Sequence, residues 1–267
     1  MDYIARVNPR YFAAIHYFAA TQDVRHHLNG ITIEPHPEKG AIIMATNGYH
    51  MGAIHDPDGW AAEPIIVGDL SRQLIDACTG KLPERGKRPK DDKLRGKKTK
   101  KRDALPLSPQ RLWIGENGAL LDWASQASEP PASPFDDPVL FADRISLIDA
   151  APVNWRRVIP TKRQADCPMP LVNLELLAPI CQAAKVLGES FGIPAACRLE
   201  VVDNKIIARL PCIPDRDRFV AVVMPMRDDS PRGELIPAAL APKQKPRLQF
   251  SSNGDLLDSY GPAPAEA

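Results

Sequence analysis

The sequence predicts an α+β protein assembled from three copies of one βαβββ unit. Three observations carry that expectation. The first 55 residues read as strand, helix and three antiparallel strands; the same order recurs twice further along; and each copy holds a turn signal between apolar runs, at Asn47-Gly48, Asn117-Gly118 and Asp203-Asn204. A recurring supersecondary unit constrains the architecture more than any single motif does.

Asn8-Pro9 opens the first helix, because asparagine caps free amides and proline at the first helical position gives up only an unused donor. The helix RYFAAIHYFAATQ follows, with Phe12, Ile15 and Ala19 on one face. GITIE, AIIMAT and YHMGAI then read as strands, the last two joined by Asn47-Gly48, a pair suited to a type I′ hairpin. The second copy begins with the strand EPIIV (63–67), and Asp69 is expected to cap LSRQLIDACTG, which stops at Gly80. RLWIG and ALLDWA flank Asn117-Gly118, and the proline-rich loop SEPPASPFDDP leads to VLFADRISLI. The third copy begins near MPLVN with Asn173 as its cap. Pro179 lies inside LELLAPICQAAKVLG, so that helix starts late or kinks. RLEVV, KIIARL and RFVAVVM close the unit. From residue 228 onward prolines recur without periodicity, and a mostly disordered tail is expected over 228–267.

With 267 residues, 44% of them hydrophobic, the chain can bury substantial cores. No apolar run approaches the roughly 18 residues of a membrane span, and MDYIARVNPR lacks a signal peptide's apolar stretch. The cysteines Cys78, Cys167, Cys181, Cys197 and Cys212 are odd in number and form no C-x-x-C pair, the pattern of reduced thiols in a cytoplasmic protein. Residues 81–102 carry 12 Lys/Arg against 3 Asp/Glu, a local net of +9 that leaves −8 on the rest of a chain whose total is +1. Such a segment is suited to polyanions, and Arg85, Lys87, Arg88, Lys90, Lys97, Lys98, Lys100, Lys101 and Arg102 are the candidate DNA contacts.

Phosphate-binding, dinucleotide, metalloprotease and nucleophile-elbow motifs are all absent. His26 and His27 are neighbours, which on a strand point to opposite faces, so no metal site is expected. Asp56 and Asp58 read as turn residues at a hairpin exit. No catalytic residue, metal or cofactor is predicted, and the chain does not read as an enzyme. The stretch AVVMPMRDD (221–229) stands out: Pro225 should stop a strand, yet Met226 and Arg227 follow it. Methionine recurs where a surface accepts partners of several shapes.

TQDVRHHLNGITIE followed by ATNGYHM resembles the middle domain of the bacterial DNA polymerase III β sliding clamp, whose family shows D-V-R-x-x-L-N-G and then A-T-D-G-H-R-L. LIDAAPVNWRRVIP resembles the stretch linking that domain to the next, and VVMPMR resembles the end of the clamp chain. The resemblance covers about 1–160 well and 195–227 fairly. It implies a DNA clamp fold in which 1–160 is one full clamp domain with a basic insertion at 81–104. Residues 161–227 would be a half-domain of one unit, and 228–267 a tail. It also implies a groove for the linear clamp-binding peptides of polymerase, clamp loader or repair proteins. Carried over by motif, that groove uses Arg25, Leu28, Thr46, Gly48, Tyr49, His50, Met51, Arg157, Val158, Val223, Met224, Pro225, Met226 and Arg227. Tyr49-His50-Met51 replaces the family's His-Arg-Leu, Asn47 replaces an aspartate, and Val153 stands where the family has proline.

What the resemblance implies is a non-enzymatic, cytoplasmic peptide-binding protein of DNA replication. Two other readings remain: an oligomeric sliding clamp that encircles double-stranded DNA as a processivity factor, or a DNA-binding protein that keeps the clamp fold and uses 81–102. A half-domain leaves a sheet edge to cover, so a homo-oligomer is expected, either a two-fold dimer or a tetrameric ring.

Overall fold

In a computed structural model, the structure describes residues 2–81, 109–123, 130–135, 139–160, 170–189, 191–211, 213 and 217–226, with the backbone of 249–250 and 256–257. The basic segment at 82–102 and most of the proline-rich tail lie outside the described residues. The chain forms two compact units, Met1–Arg227 and Asp228–Ala267.

The first unit begins with β1 (Tyr3–Val7) and α1 (Pro9–His16). The Asn8 side chain accepts from the amides of Arg10 and Tyr11, at 2.9 and 3.4 Å, and Pro9 opens the helix, as this pairing requires. The helix is shorter than its apolar periodicity predicts. After His16 the amides of Phe18 and Ala19 bond three residues back, and Gln22 turns to φ 57°, so residues 17–22 leave the helical path. The strands β2 (Ile31–Pro35), β3 (Ala41–Thr46) and β4 (His50–Asp56) follow, then the short β5 (Trp60–Ala61).

The second repeat comprises β6 (Ile65–Gly68), α2 (Arg72–Cys78), β7 (Arg111–Gly115), β8 (Gly118–Asp122), β9 (Val139–Arg144) and β10 (Ser146–Leu147). Its helix is capped by Ser71, whose hydroxyl oxygen accepts from the Leu74 amide at 3.0 Å, and not by Asp69. Asp69 instead takes φ 50° and accepts a hydrogen bond from Ser146 Oγ at 2.6 Å. The third repeat has α3 (Ala178–Glu189), β11 (Arg198–Val202), β12 (Lys205–Arg209) and β13 (Phe219–Val223). Asn173 caps a 3-10 turn at Leu174–Leu177, and Pro179 sits in the first turn of α3, where it breaks no helical bond. No opening strand precedes this helix among the described residues. A single bond from the Met226 amide to the Leu171 carbonyl, 2.9 Å, stands in its place.

Among the described residues, the strands of the first unit form two sheets. One has the order β5-β1-β7-β8-β9 and the other β10-β6-β2-β3-β4-β13-β12-β11. The first two repeats thus exchange their opening strands: β1 joins the second meander, and β6 joins the first. The third meander continues the larger sheet, because β13 pairs antiparallel with β4 from Phe219↔Ile54 to Val223↔His50.

Alternation along the strands divides the buried side chains between two faces. Ile31, Ile33, Ile43, Ile54, Ile206 and Val223 join the helices in the main core. Ile42, Met44, Met51, Ala53, Ile207 and Val222 form a second cluster on the opposite face, covered by Trp155 with Val153, Val158 and Ile159. Residues 153–159, which follow the second repeat, therefore lie across the outer face of the eight-stranded sheet. Among its described residues the tail unit contains one antiparallel ladder, β14 (Gln249–Phe250) with β15 (Leu256–Leu257).

Candidate functional site

At one end of the β4–β13 seam, the second cluster opens into a cavity of about 260 Å³. Four segments distant in sequence line it. His27 and Leu28 come from the 3-10 turn His26–Leu28, with Arg25 just before it. The β3–β4 hairpin supplies Thr46 and Gly48 to Met51, the linker supplies Val153, Trp155 and Val158, and β13 with its extension supplies Val222 and Met224.

The local sequence fixes each wall. Asp23 holds Arg25 through paired contacts, Nε to Oδ1 at 3.0 Å and Nη2 to Oδ2 at 2.8 Å, and this guanidinium lowers the Asp23 carboxyl to a pKa of about 2. Asn29 closes the same loop by accepting from the Asp23 amide and donating to the Asp23 carbonyl, both at 2.8 Å. The D-V-R-x-x-L-N-G run is therefore a self-bracing loop that presents Arg25 and buries Leu28.

The hairpin is braced in a similar way. Thr46 Oγ1 donates to the His50 carbonyl at 2.7 Å and accepts from the Gly48 amide at 3.0 Å. Asn47 Oδ1 accepts from the amides of Tyr49 and His50. Gly48 alone has positive φ, +91°, so the turn is not the type I′ form expected at Asn47-Gly48, which needs two such residues. Asp203 and Asn204, at φ 53° and 52°, do make that double left-handed turn.

His50 is buried edge-on against Phe18, 5.6 Å between centroids. Burial lowers its pKa to about 4, so the imidazole is neutral near pH 7. Trp155 donates to Glu34 Oε1 at 3.2 Å while Arg156 pairs with the same oxygen at 2.6 Å and stacks over the indole at 4.5 Å. This triad pins the linker to β2. The result is an apolar cleft with one half-exposed guanidinium, Arg25, at its rim.

Of the residues expected in a groove, Arg25, Leu28, Thr46, Gly48, Tyr49, His50, Met51, Val158 and Met224 line this cavity. Val223 points into the main core, because alternation places Val222 and Met224 on the cleft face. Arg157 is exposed outside the lining, and Pro225 and Met226 also lie beyond it, Met226 half-exposed. Arg227 lies outside the described residues, as do the basic positions Arg85, Lys87, Arg88, Lys90, Lys97, Lys98, Lys100, Lys101 and Arg102. His27, Val153, Trp155 and Val222 line the cavity without having been anticipated. The period-two alternation of β13 pointed to Val222, and a large aromatic in a linker pointed to Trp155.

A larger cavity of about 420 Å³ includes Arg6, Asn8, Tyr11, Asp56, Arg111 and Arg218. Asp56 is buried there and structural: it accepts from the Asn8 amide at 2.6 Å and the Asp58 amide at 3.2 Å, and burial raises its pKa. Among the described residues no group of three His, Cys, Asp or Glu side chains is placed to hold a metal ion. No helix among them is long and apolar enough to cross a membrane.

Fold and site define a protein of βαβββ repeats with an apolar cleft where two meanders and a linker meet. No family model matches the chain, and no curated protein does. Among solved structures it is similar to DNA polymerase III subunit beta from Borrelia burgdorferi, at 10% identity and a TM-score of 0.48 over 85% of this chain. It is also similar to the DNA polymerase sliding clamps of Caulobacter crescentus (14%, TM-score 0.47, 85% of this chain) and Bacillus subtilis (12%, 0.46, 85%). The chain spans 64% of the Borrelia and Bacillus proteins and 66% of the Caulobacter one.

Proposed function

We propose that this chain is a sliding-clamp-like, non-enzymatic protein that binds the linear clamp-binding peptides of replication and repair proteins in the cleft beside the β4–β13 seam. The observation behind this reading is convergence. Arg25 to Leu28, Thr46 to Met51, Val153 to Val158 and Met224 are far apart in sequence and meet around one apolar cavity of about 260 Å³. Aliphatic and methionine side chains give such a cleft an adaptable floor, while Arg25 suits the carbonyls or acidic groups of a peptide passing over the rim. Binding here needs no titrating or metal-bound group. The setting proposed is the cytoplasm.

A reading in which the chain encircles DNA has less behind it. On α1, burial lowers the pKa of His16 and disfavours its charged form, which leaves Arg10, its Nη1 3.5 Å from the Val186 carbonyl, as that helix's one cation for phosphate. Photo-crosslinking tests the proposal. A clamp-binding peptide carrying a photoreactive residue should label the segments containing Tyr49 and Met224. Labelling confined to other segments would overturn it.

A further inference from the structure

The first two repeats display how a unit of this type is completed. Each opening strand has two neighbours, one from its own repeat and one from the other. β1 pairs with β5 behind it and with β7 of the second meander; β6 pairs with β10 and with β2 of the first meander. The helices α1 and α2 pack together beneath that exchange.

The third repeat reproduces half of this arrangement. Leu171, just before the Asn173 cap, takes the place of an opening strand, and its own-repeat neighbour is present because the Met226 amide bonds its carbonyl at 2.9 Å. The other neighbour, the first strand of a second meander, is missing among the described residues. Reciprocally, among the described residues β11 ends the larger sheet with no strand beyond it. Between α3 and β11 an apolar cavity of about 240 Å³ stands open, lined by Leu177, Ile180, Cys181, Ala184, Cys197 and Leu199. Leu174, Phe191 and Leu171 of the same repeat are 77%, 55% and 47% exposed.

We propose that this face is covered by the third repeat of a second copy of the chain. The two copies would be related by a two-fold axis and build one further complete domain between them. What each copy lacks is what the other presents: an acceptor edge at β11 and an opening segment at residues 170–172. A two-fold axis makes the exchange reciprocal, as it is between the first two repeats. It also removes an open edge and an apolar cavity together. This interface lies on repeat three and does not depend on peptide binding.

Sedimentation velocity on the full chain tests it. Val202 and Lys205 flank a two-residue turn and form a hydrogen-bonded pair, so Leu199 and Val201 direct their amides outward. Val201→Pro therefore removes an outward donor and spares the β11–β12 ladder. The wild type should sediment as a dimer at about 10 µM, and Val201→Pro and Leu174→Lys should each weaken the dimer at least about tenfold. Alkylation of Cys181 and Cys197, both exposed in the single chain, should slow in the dimer. If Val201→Pro alters the circular dichroism spectrum, Leu174→Lys decides alone, since its side chain is largely free of the fold. A wild type that stays monomeric to about 100 µM overturns the proposal, and so does a dimer that these substitutions leave intact.

Discussion

The main-chain amide of Met224 donates to the carbonyl of Tyr49 at 2.9 Å. This bond extends the β4–β13 seam past its last strand pair, Val223↔His50, and ties the end of the third repeat to a hairpin of the first. Beyond Pro225, which has no amide hydrogen, the Met226 amide turns to another partner and bonds the Leu171 carbonyl at 2.9 Å. The Met224 side chain is thereby held on the cleft wall. The methionine-rich strand end in the sequence thus joins two repeats and lines the cleft.

Trp155 carries the linker. Truncating it to alanine removes the indole that covers Met44, Met51 and Val222, and leaves Glu34 with Arg156 alone. A loss of about 2–4 kcal/mol in urea unfolding is expected, together with loss of the cleft's outer wall.

Gly48→Val strains the hairpin directly. The position has φ +91°, and a Cβ there would lie 3.2 Å from the Arg25 guanidinium. Destabilisation of about 1–2 kcal/mol is expected in thermal unfolding, and peptide affinity should fall because Arg25 is displaced from the rim.

Gly52→Ala tests the seam from the helix side. A Cβ at Gly52 would meet the fully buried Phe18 ring at 2.5 Å, opposite Ala221 on β13. The expected cost is about 1–3 kcal/mol, read by denaturant unfolding.

Acid should loosen the protein before its carboxylates titrate. The His50 pKa is lowered from 6.5 to about 4 by burial, and His16 is lowered for the same reason. Between pH 6.5 and about 4 the unfolded chain binds more protons than the folded one, so stability is full above 6.5 and declines as pH falls through this window. Buried Asp56, whose pKa is raised above 3.8, opposes the trend at the lower end, because its protonation favours the folded state. Urea unfolding across the window should show this slope, and His50→Gln should reduce it.

Much of the fold was legible because βαβββ repeats mark themselves locally. Asn8-Pro9 and Asn173 cap where they should, and Pro179 delays its helix. What the sequence concealed was non-local. Ser71 and Asp69 are both good caps, and it is tertiary bonds, from Ser146 to Asp69 and from the Ser71 hydroxyl to Asp143, that set their places. The exchange of β1 and β6 between repeats leaves no signature in a periodic pattern, since either partner would accept an apolar strand. The cleft was legible in its hairpin and its 3-10 turn. It is less so at β13, where the sequence suggests a contiguous run over 223–227; of that run Met224 is on the wall, and alternation adds Val222 in place of Val223.

The most direct measurement is a titration of a labelled clamp-binding peptide into the wild-type chain and into Met224→Ala, with Arg157→Ala as a control outside the cavity lining. Micromolar binding is expected, weakened about tenfold by Met224→Ala and changed less than about twofold by Arg157→Ala. No binding by the folded wild type, or binding that is indifferent to Met224→Ala, would contradict the peptide cleft.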